Sequence, residues 1–480
     1  VDTLAQYDAA DGVDRNEVAD PKKVVAEFEE LISENDWENL QRFDRYHRGI
    51  FEQPYLPSKD RTMLALEYAD LLSRADLPIC ALIVAATADR LAVEGYGSTD
   101  SGDVDDTVWS WWQASSLDGR QAMLYTDSLV FGDGFLSVTD GGDVPKYSVE
   151  SPLNVVVDID STDPSRVEVA AKLVKNRGWF YTADAIWALR KSTKNFPRGW
   201  EVVSVTPHTA GECPIVRFPN RMDSRGQTLS EIALVAGPQR RIIQTVADRL
   251  MIQRSASWRQ RWISGISIDT DADGNPIAPM RMGIDQLVVS EDPDTRFGEF
   301  SESPMGELLK AVESDIQHAA AISQTPSHLL IPGSISNISA DALIALEAGL
   351  TTKVQNRQLV FGESWEHAFR IGATLVGHTL PEEGEVLWGD LEKRSEAQKV
   401  DAVIKLNSIG LPMEYLLERL SLSPQKIQLI LAEIEEARKK AADAAAASFG
   451  LAPGQSPLGD PAAAESFANS DPSAPNPTGT

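Results

Sequence analysis

The run Asp269-Thr270-Asp271-Ala272-Asp273-Gly274-Asn275 carries carboxylates at its first, third and fifth positions and glycine at its sixth. A calcium loop begins this way: the acids supply hard oxygen ligands and the glycine makes the sharp turn. The twelfth position should be a bidentate Glu, but it is Met280, and no helical pattern flanks the run. A hairpin turn with Gly274 at positive φ is the better reading. The histidines, His47, His208, His318, His328, His367 and His378, form no His-x-x-x-His pair and no Cys–His metal spacing. No Gly-x-x-x-x-Gly-Lys-Ser/Thr phosphate loop occurs, so the chain is not expected to hydrolyse ATP. Gly132-Asp133-Gly134 lacks the next glycine of a dinucleotide fingerprint, and there is no Gly-x-Ser-x-Gly elbow. These residues predict a chain that is not an enzyme and needs no metal or cofactor.

Two further groups could bind rather than react. Trp109, Trp111 and Trp112 could stack on bases, but Asp103, Asp105 and Asp106 stand just upstream, so packing is the favoured reading. Arg240, Arg241, Arg249, Arg254, Arg259 and Arg261 form a basic run. They read as a solvated helix face with acidic partners, or as a contact to another subunit or to DNA. The chain as a whole is acidic, with net charge −28 and its acids scattered. A general basic surface for nucleic acid is therefore not expected, because phosphate contacts need Lys and Arg.

The elements that must position such groups follow from composition and periodicity. At 480 residues, a prior of about 150 per domain gives roughly three lobes. A hydrophobic content of 42% supports substantial cores. Cys80 and Cys213 are too few for a disulfide framework, and a reducing compartment fits them. The apolar run 77–88 is broken by Pro78 and closed by Asp89-Arg90, too short to span a membrane. The first residues are acidic where a signal peptide would be basic and apolar. Helical periodicity marks residues 21–35, 60–72, 76–93, 107–113 and 119–130. From Gly134 the period shortens, and residues 135–138, 154–158, 167–175 and 200–203 favour strands separated by turns. After Ser230 a helix returns, then a turn-rich stretch over 258–300, then a helix opened by Ser303-Pro304. A helical region follows Trp388, and the Ala-, Ser-, Pro- and Gly-rich end from Ala441 reads as a mobile tail. The fold class is α+β, mainly helical.

Residues 322–375 say most. A helix ends at Thr325-Pro326, a short apolar loop follows, and Ser339 then caps a long helix. Leu343, Leu346, Leu350, Val354, Phe361, Trp365 and Phe369 keep one face apolar. At ~1.5 Å per residue this helix spans roughly 55 Å, well beyond a small domain, so it needs neighbours in this chain or in others. The words Gln324-Thr325-Pro326-Ser327-His328-Leu329-Leu330, Asn337-Ile338-Ser339-Ala340-Asp341-Ala342-Leu343, Lys353, Arg357-Gln358, Phe361-Gly362 and Trp365-Glu366 occur here in order. Together with Asp89-Arg90-Leu91 and Leu129-Val130-Phe131-Gly132-Asp133-Gly134, they make the chain resemble tailed-phage portal proteins of the Gp6-like group, over about residues 25–440.

Residues 1–20 read as a mobile acidic arm ahead of it, and the resemblance implies a wing at 21–237, a stem helix at 238–257, a clip at 258–302 and a second stem helix at 303–324. It also implies a tunnel loop at 325–338, a long wing helix at 339–384 and a crown at 385–440, with the compositional tail at 441–480 beyond it. It further implies a homo-oligomeric, dodecameric ring in the virion, at the capsid's portal vertex, through which double-stranded DNA is packaged and ejected. The expected partners are the large terminase, a head–tail adaptor, the major capsid protein and a scaffold protein, with no membrane. The tunnel loop is expected to offer Thr325, Pro326, Ser327, His328, Leu329, Leu330, Ile331, Pro332, Gly333 and Ser334 to the channel. Glu307, Lys310, Glu313 and Asp315 are the expected channel wall, and Asp269, Asp271 and Asp273 the expected docking tip of the clip. The alternatives are another head–tail connector protein or a cytoplasmic enzyme, the latter without a catalytic constellation to support it.

Overall fold

The computed structural model describes residues 20–51, 73–98, 105–192, 199–257, 261–265, 294–299, 305–331, 339–381, 384–391, 403–409, 413–418 and 424–448. The chain divides into two compact units, Val1–Val93 with Thr107–Glu382, and Glu94–Asp106 with Glu383–Thr480.

In the first unit, Asp20 accepts from the Lys22 amide at 3.0 Å and Pro21 opens helix α1 (Pro21–Glu34). Its apolar side, Val24 and Phe28, lies on a five-stranded antiparallel meander. The strands are β4 (Val155–Ile159), β5 (Val167–Val174), β6 (Arg177–Tyr181), β7 (Ala185–Lys191) and β8 (Trp200–Pro207). Phe28 meets Phe180 and Trp200 edge-on, and Gly178 is bare because any Cβ there would strike the Phe28 ring. On the opposite face, Val155, Ala170 and Tyr181 pack against Phe135 and Ile215. Those two residues belong to a three-stranded sheet of β2 (Asp133–Asp140), β3 (Pro145–Glu150) and β9 (Ile215–Pro219), ordered β3-β2-β9.

The helices α2 (Trp37–His47), α3 (Ile79–Ala88), α4 (Asp106–Ala114) and α5 (Leu117–Phe131) precede these sheets in the chain. After the sheets come α6 (Glu231–Ser257) and α7 (Met305–Ser323), which share a core through Ile242, Ile243, Val246, Ile316, Ala319 and Ala320. Between them, β10 (Arg261–Ser264) pairs antiparallel with β11 (Arg296–Glu299). A single turn, α8 (Ser327–Leu330), precedes α9 (Ala340–Leu375), the long helix. Phe361, Trp365 and Phe369 of α9 sink into a cage of Trp112, Tyr125, Tyr147 and Phe218, with ring centroids 4.9–6.4 Å apart. Trp111 and Trp112 are buried, and Trp109 stacks on Trp112, so the tryptophan cluster serves packing.

In the second unit, β1 (Val93–Ser98) pairs with β12 (Gly384–Trp388). Helices α10 (Met413–Glu418) and α11 (Pro424–Ser448) follow, with Leu416, Leu417 and Ile427 buried.

Several boundaries differ from the periodicity. The helix expected over 76–93 stops at Ala88, and Val93–Ser98 is a strand. Helix α6 begins at Glu231, ahead of 238, and holds Pro238 within it. Helix α9 ends at Leu375, where Gly377 takes φ 68° and turns the chain. Helix α11 runs past 440 through Ser448, because an alanine-rich stretch is a strong helix former. The expected arm at 1–19, the helix at 60–72 and the tail after 448 lie outside the described residues.

Candidate functional site

The segment with the strongest functional expectation hangs between α7 and α9, and its geometry begins where α7 stops. Gln324 adopts φ 55°, the left-handed conformation that usually takes glycine after a helix. Its amide donates to the Ala321 carbonyl at 3.3 Å, and the Thr325 amide donates to the Ala320 carbonyl at 2.9 Å. That pair of bonds closes the helix in a Schellman turn. Pro326 then keeps Thr325 out of the helical region and sets up the single turn α8. Thr325 and Leu330 are buried, and Leu330 joins the core beside Ile316 and Ala319. Ile331 packs against the same core, Pro326, His328 and Leu329 are half-buried, and Ser327 is exposed. His328 Nε2 lies 3.4 Å from Glu347 of α9, and the other oxygen of Glu347 lies 3.7 Å from Arg90. At the far end, Ser339 Oγ accepts from the Ala342 amide at 3.3 Å. Both roots of the loop are therefore anchored, while Pro332, Gly333 and Ser334 lie outside the described residues.

Behind the first root sits a buried ionic node. Ser230 caps α6, its hydroxyl accepting from the Ile232 and Ala233 amides and donating to Val130. The next residue, Glu231, is fully buried. Lys353 Nζ of α9 donates to Glu231 Oε2 at 2.9 Å and to the Ser323 carbonyl, the last of α7, at 3.0 Å. Arg221 Nε lies 2.8 Å from Glu231 Oε1, and Arg357 Nη2 lies 3.4 Å from the same oxygen. One carboxylate thus ties the loop after β9, the start of α6, the end of α7 and the middle of α9. Burial pushes the Glu231 carboxyl up, but Lys353 and Arg221 overcome this and hold it down to about 2. Burial pushes Lys353 and Arg357 below their ordinary values, which Glu231 only partly offsets. The two directions have one physical cause: three cations share one anion, so the carboxylate is strongly held and the surplus cations are costly.

The expected wall residues divide. Glu307, Lys310 and Glu313 are exposed along α7, but Asp315 is half-buried and paired with Arg241 of α6 at 2.8 Å. Arg240 Nε donates to the Tyr46 hydroxyl at 3.0 Å. Arg241 is thus a helix-face residue with an acidic partner. Asp269, Asp271 and Asp273 lie outside the described residues. His367 and Arg166 both contact Glu212 at 2.8 Å, tying α9 to the loop before β9. Among the described residues, no group of three or more His, Cys, Asp or Glu side chains could hold a metal ion, and no helix is long and apolar enough to cross a membrane. Lys353 and Arg357 stood out in the sequence; Glu231 did not. Its only signal was an acid just after a capping serine, which reads as an ordinary helix start.

The model of the phage portal protein family, SPP1 Gp6-like, matches residues 32–440. The chain belongs to that family. The portal protein of Mycobacterium phage D29 is 28% identical over 476 residues, covering 91% of this chain and 92% of its own length. That of Mycobacterium phage L5 is 28% identical over 436 residues, covering 82% and 84%. A chain in the neck of an empty gene transfer agent particle is 13% identical, covers 75% of this chain and 92% of its own, and superposes with a TM-score of 0.44. As a portal protein, the chain is a structural component of the virion's portal vertex. It forms an oligomeric ring that takes part in capsid assembly and DNA passage.

Proposed function

We propose that this portal protein assembles as a dodecamer in which 325–338 lines the narrowest part of the channel. In the same reading, 258–302 is the clip that docks the large terminase and later the head–tail adaptor through Asp269, Asp271 and Asp273, while the wing meets the major capsid and scaffold proteins.

 The observation that carries this reading is the loop's mounting. Its first root is closed by a Schellman turn and held from behind by the Glu231–Lys353–Arg357 node, and its second root is capped by Ser339. A loop fixed at both ends to rigid helices can press on a passing duplex without collapsing. Glu307 and Glu313, with Lys310 between them, are exposed on the helix before the loop. A wall that is mostly acidic keeps friction low, because tight phosphate contacts would have to break at every step.

Deleting Gly333 to Ser336 tests the assignment. Rings of the variant should assemble, as counted in negative-stain images, while DNA packaging into proheads falls sharply. Full packaging by such rings would count against the loop as the channel's constriction.

A further inference from the structure

The five-stranded sheet carries a charge anomaly that the channel does not use. Residues 172–198 hold seven cations (Lys172, Lys175, Arg177, Arg190, Lys191, Lys194 and Arg198) and one acid, Asp184, in a chain of net charge −28. Lys172 is paired with Glu150 at 2.7 Å. Lys175, Arg177, Arg190 and Lys191 are all exposed, and none of them is in an ion pair among the described residues.

The topology gathers these four at one end of the sheet. Strand β5 ends at Val174, Lys175 makes the turn with φ 57°, and Arg177 opens β6. Strand β7 returns to that end and closes with Arg190 and Lys191. Arg177 and Arg190 are direct cross-strand partners, so their side chains leave the same face about 5 Å apart at Cβ. Like charges placed this way repel and destabilise the strand pair unless an anion sits between them. Lys191 leaves the other face, its ammonium 6.0 Å from the Trp200 ring centroid. The nearby acids are few: Glu201 stands opposite Arg190 on β8, and Glu29 of α1 accepts from the Trp200 amide.

We propose that this end of the sheet is a second, sequence-independent contact for the phosphate backbone of duplex DNA, separate from the loop at 325–338. Two guanidinium groups side by side suit one phosphate, which can accept from both, and Lys175 in the adjoining turn reaches a neighbouring phosphate. A duplex offers one negative charge per ~1.7 Å of axis, denser than an acidic protein surface, and this protein's work already brings DNA to it. The inference stands apart from the channel reading, because none of its residues lies on α7 or the loop.

The test uses the full chain and a fluorescent random-sequence duplex, with anisotropy read at 50 to 200 mM salt. If Lys175, Arg177 and Arg190 engage, affinity falls about 40-fold across that range, following a slope near −0.9 per phosphate contact. The variant Lys175→Gln/Arg177→Gln/Arg190→Gln should bind at least tenfold more weakly at 50 mM, with a nearly flat slope. Should that variant not form rings, Arg177→Gln/Arg190→Gln and Lys175→Gln carry the same test, keeping about a third and about two-thirds of the slope. Affinity and slope unchanged in the variants would overturn the proposal. So would poly-glutamate competing as well as duplex at equal charge, which would mark the surface as a dock for an acidic protein.

Discussion

The ionic node makes an asymmetric prediction. Replacing Glu231 with Gln leaves Lys353, Arg357 and Arg221 facing one another with no anion, two of them almost wholly buried. Removing one member of a buried pair costs about 3–5 kcal/mol. Replacing Lys353 with Met leaves the carboxylate still held by two arginines, and it removes one surplus buried cation. The loss is then mainly the hydrogen bond to the Ser323 carbonyl, about 1–2 kcal/mol. Acid adds a second signature. The Glu231 carboxyl lies near 2 in the fold against an ordinary value of 4.5. A depressed carboxyl contributes its full stability above the unfolded value and loses it as pH falls through the folded one. That contribution is about 3 kcal/mol, lost between about pH 4.5 and pH 2. Urea titrations followed by tryptophan fluorescence should therefore rank Glu231→Gln well below Lys353→Met at pH 7. The gap between Glu231→Gln and the natural chain should shrink as the pH is lowered from 5 toward 3. Equal losses for the two variants, or a gap that does not change with pH, would refute the view that one carboxylate organises the joint.

Two further outcomes follow from the helices on either side of the loop. Gly372→Ala on α9 drives a methyl into the Tyr147 hydroxyl and should lower stability by about 1–3 kcal/mol, whereas Gly349→Ala, with nothing within 4 Å, should raise it by up to about 1 kcal/mol; the same urea titration reads both. Gln324→Gly relieves the left-handed conformation at the end of α7 and should stabilise by about 1 kcal/mol, and a loss of stability instead would show that the Gln324 side chain matters more than its backbone.

Much of this fold was legible because periodicity reports burial. The helices α1, α4, α5 and α7 and the strands β2, β4, β5 and β8 lie close to where the apolar spacing puts them. Strand β9 was not legible, since all five of its residues are buried and no alternation remains to see. Strand β6 opens on Arg177-Gly178, a pair that reads as a turn, although Gly178 is there to admit the Phe28 ring. The joint at the loop's root was legible only in part. Lys353 and Arg357 lie one helical turn apart, which a sequence displays, but their anion is more than a hundred positions away at Glu231. Nothing local distinguishes that glutamate from any acid in a first helical turn.

The long helix shows where such reading stops. Leu350, Val354, Phe361, Trp365 and Phe369 are buried within the protomer, as their spacing requires. Leu343 and Leu346 continue the same line toward the loop, yet they are 38% and 51% exposed, and Ile344 beside them is 56% exposed. Periodicity states that a face is apolar; it does not state which chain covers it. Each large aliphatic side chain gains about 1.5–3 kcal/mol on full burial, so these turns hold several kcal/mol that the isolated protomer does not realise. A ring supplies neighbours that a monomer lacks, and a neighbour that covered these side chains would couple the stability of these turns to assembly. The same turns run directly into the second root of the loop at Ser339, so whatever covers Leu343, Ile344 and Leu346 also steadies that root.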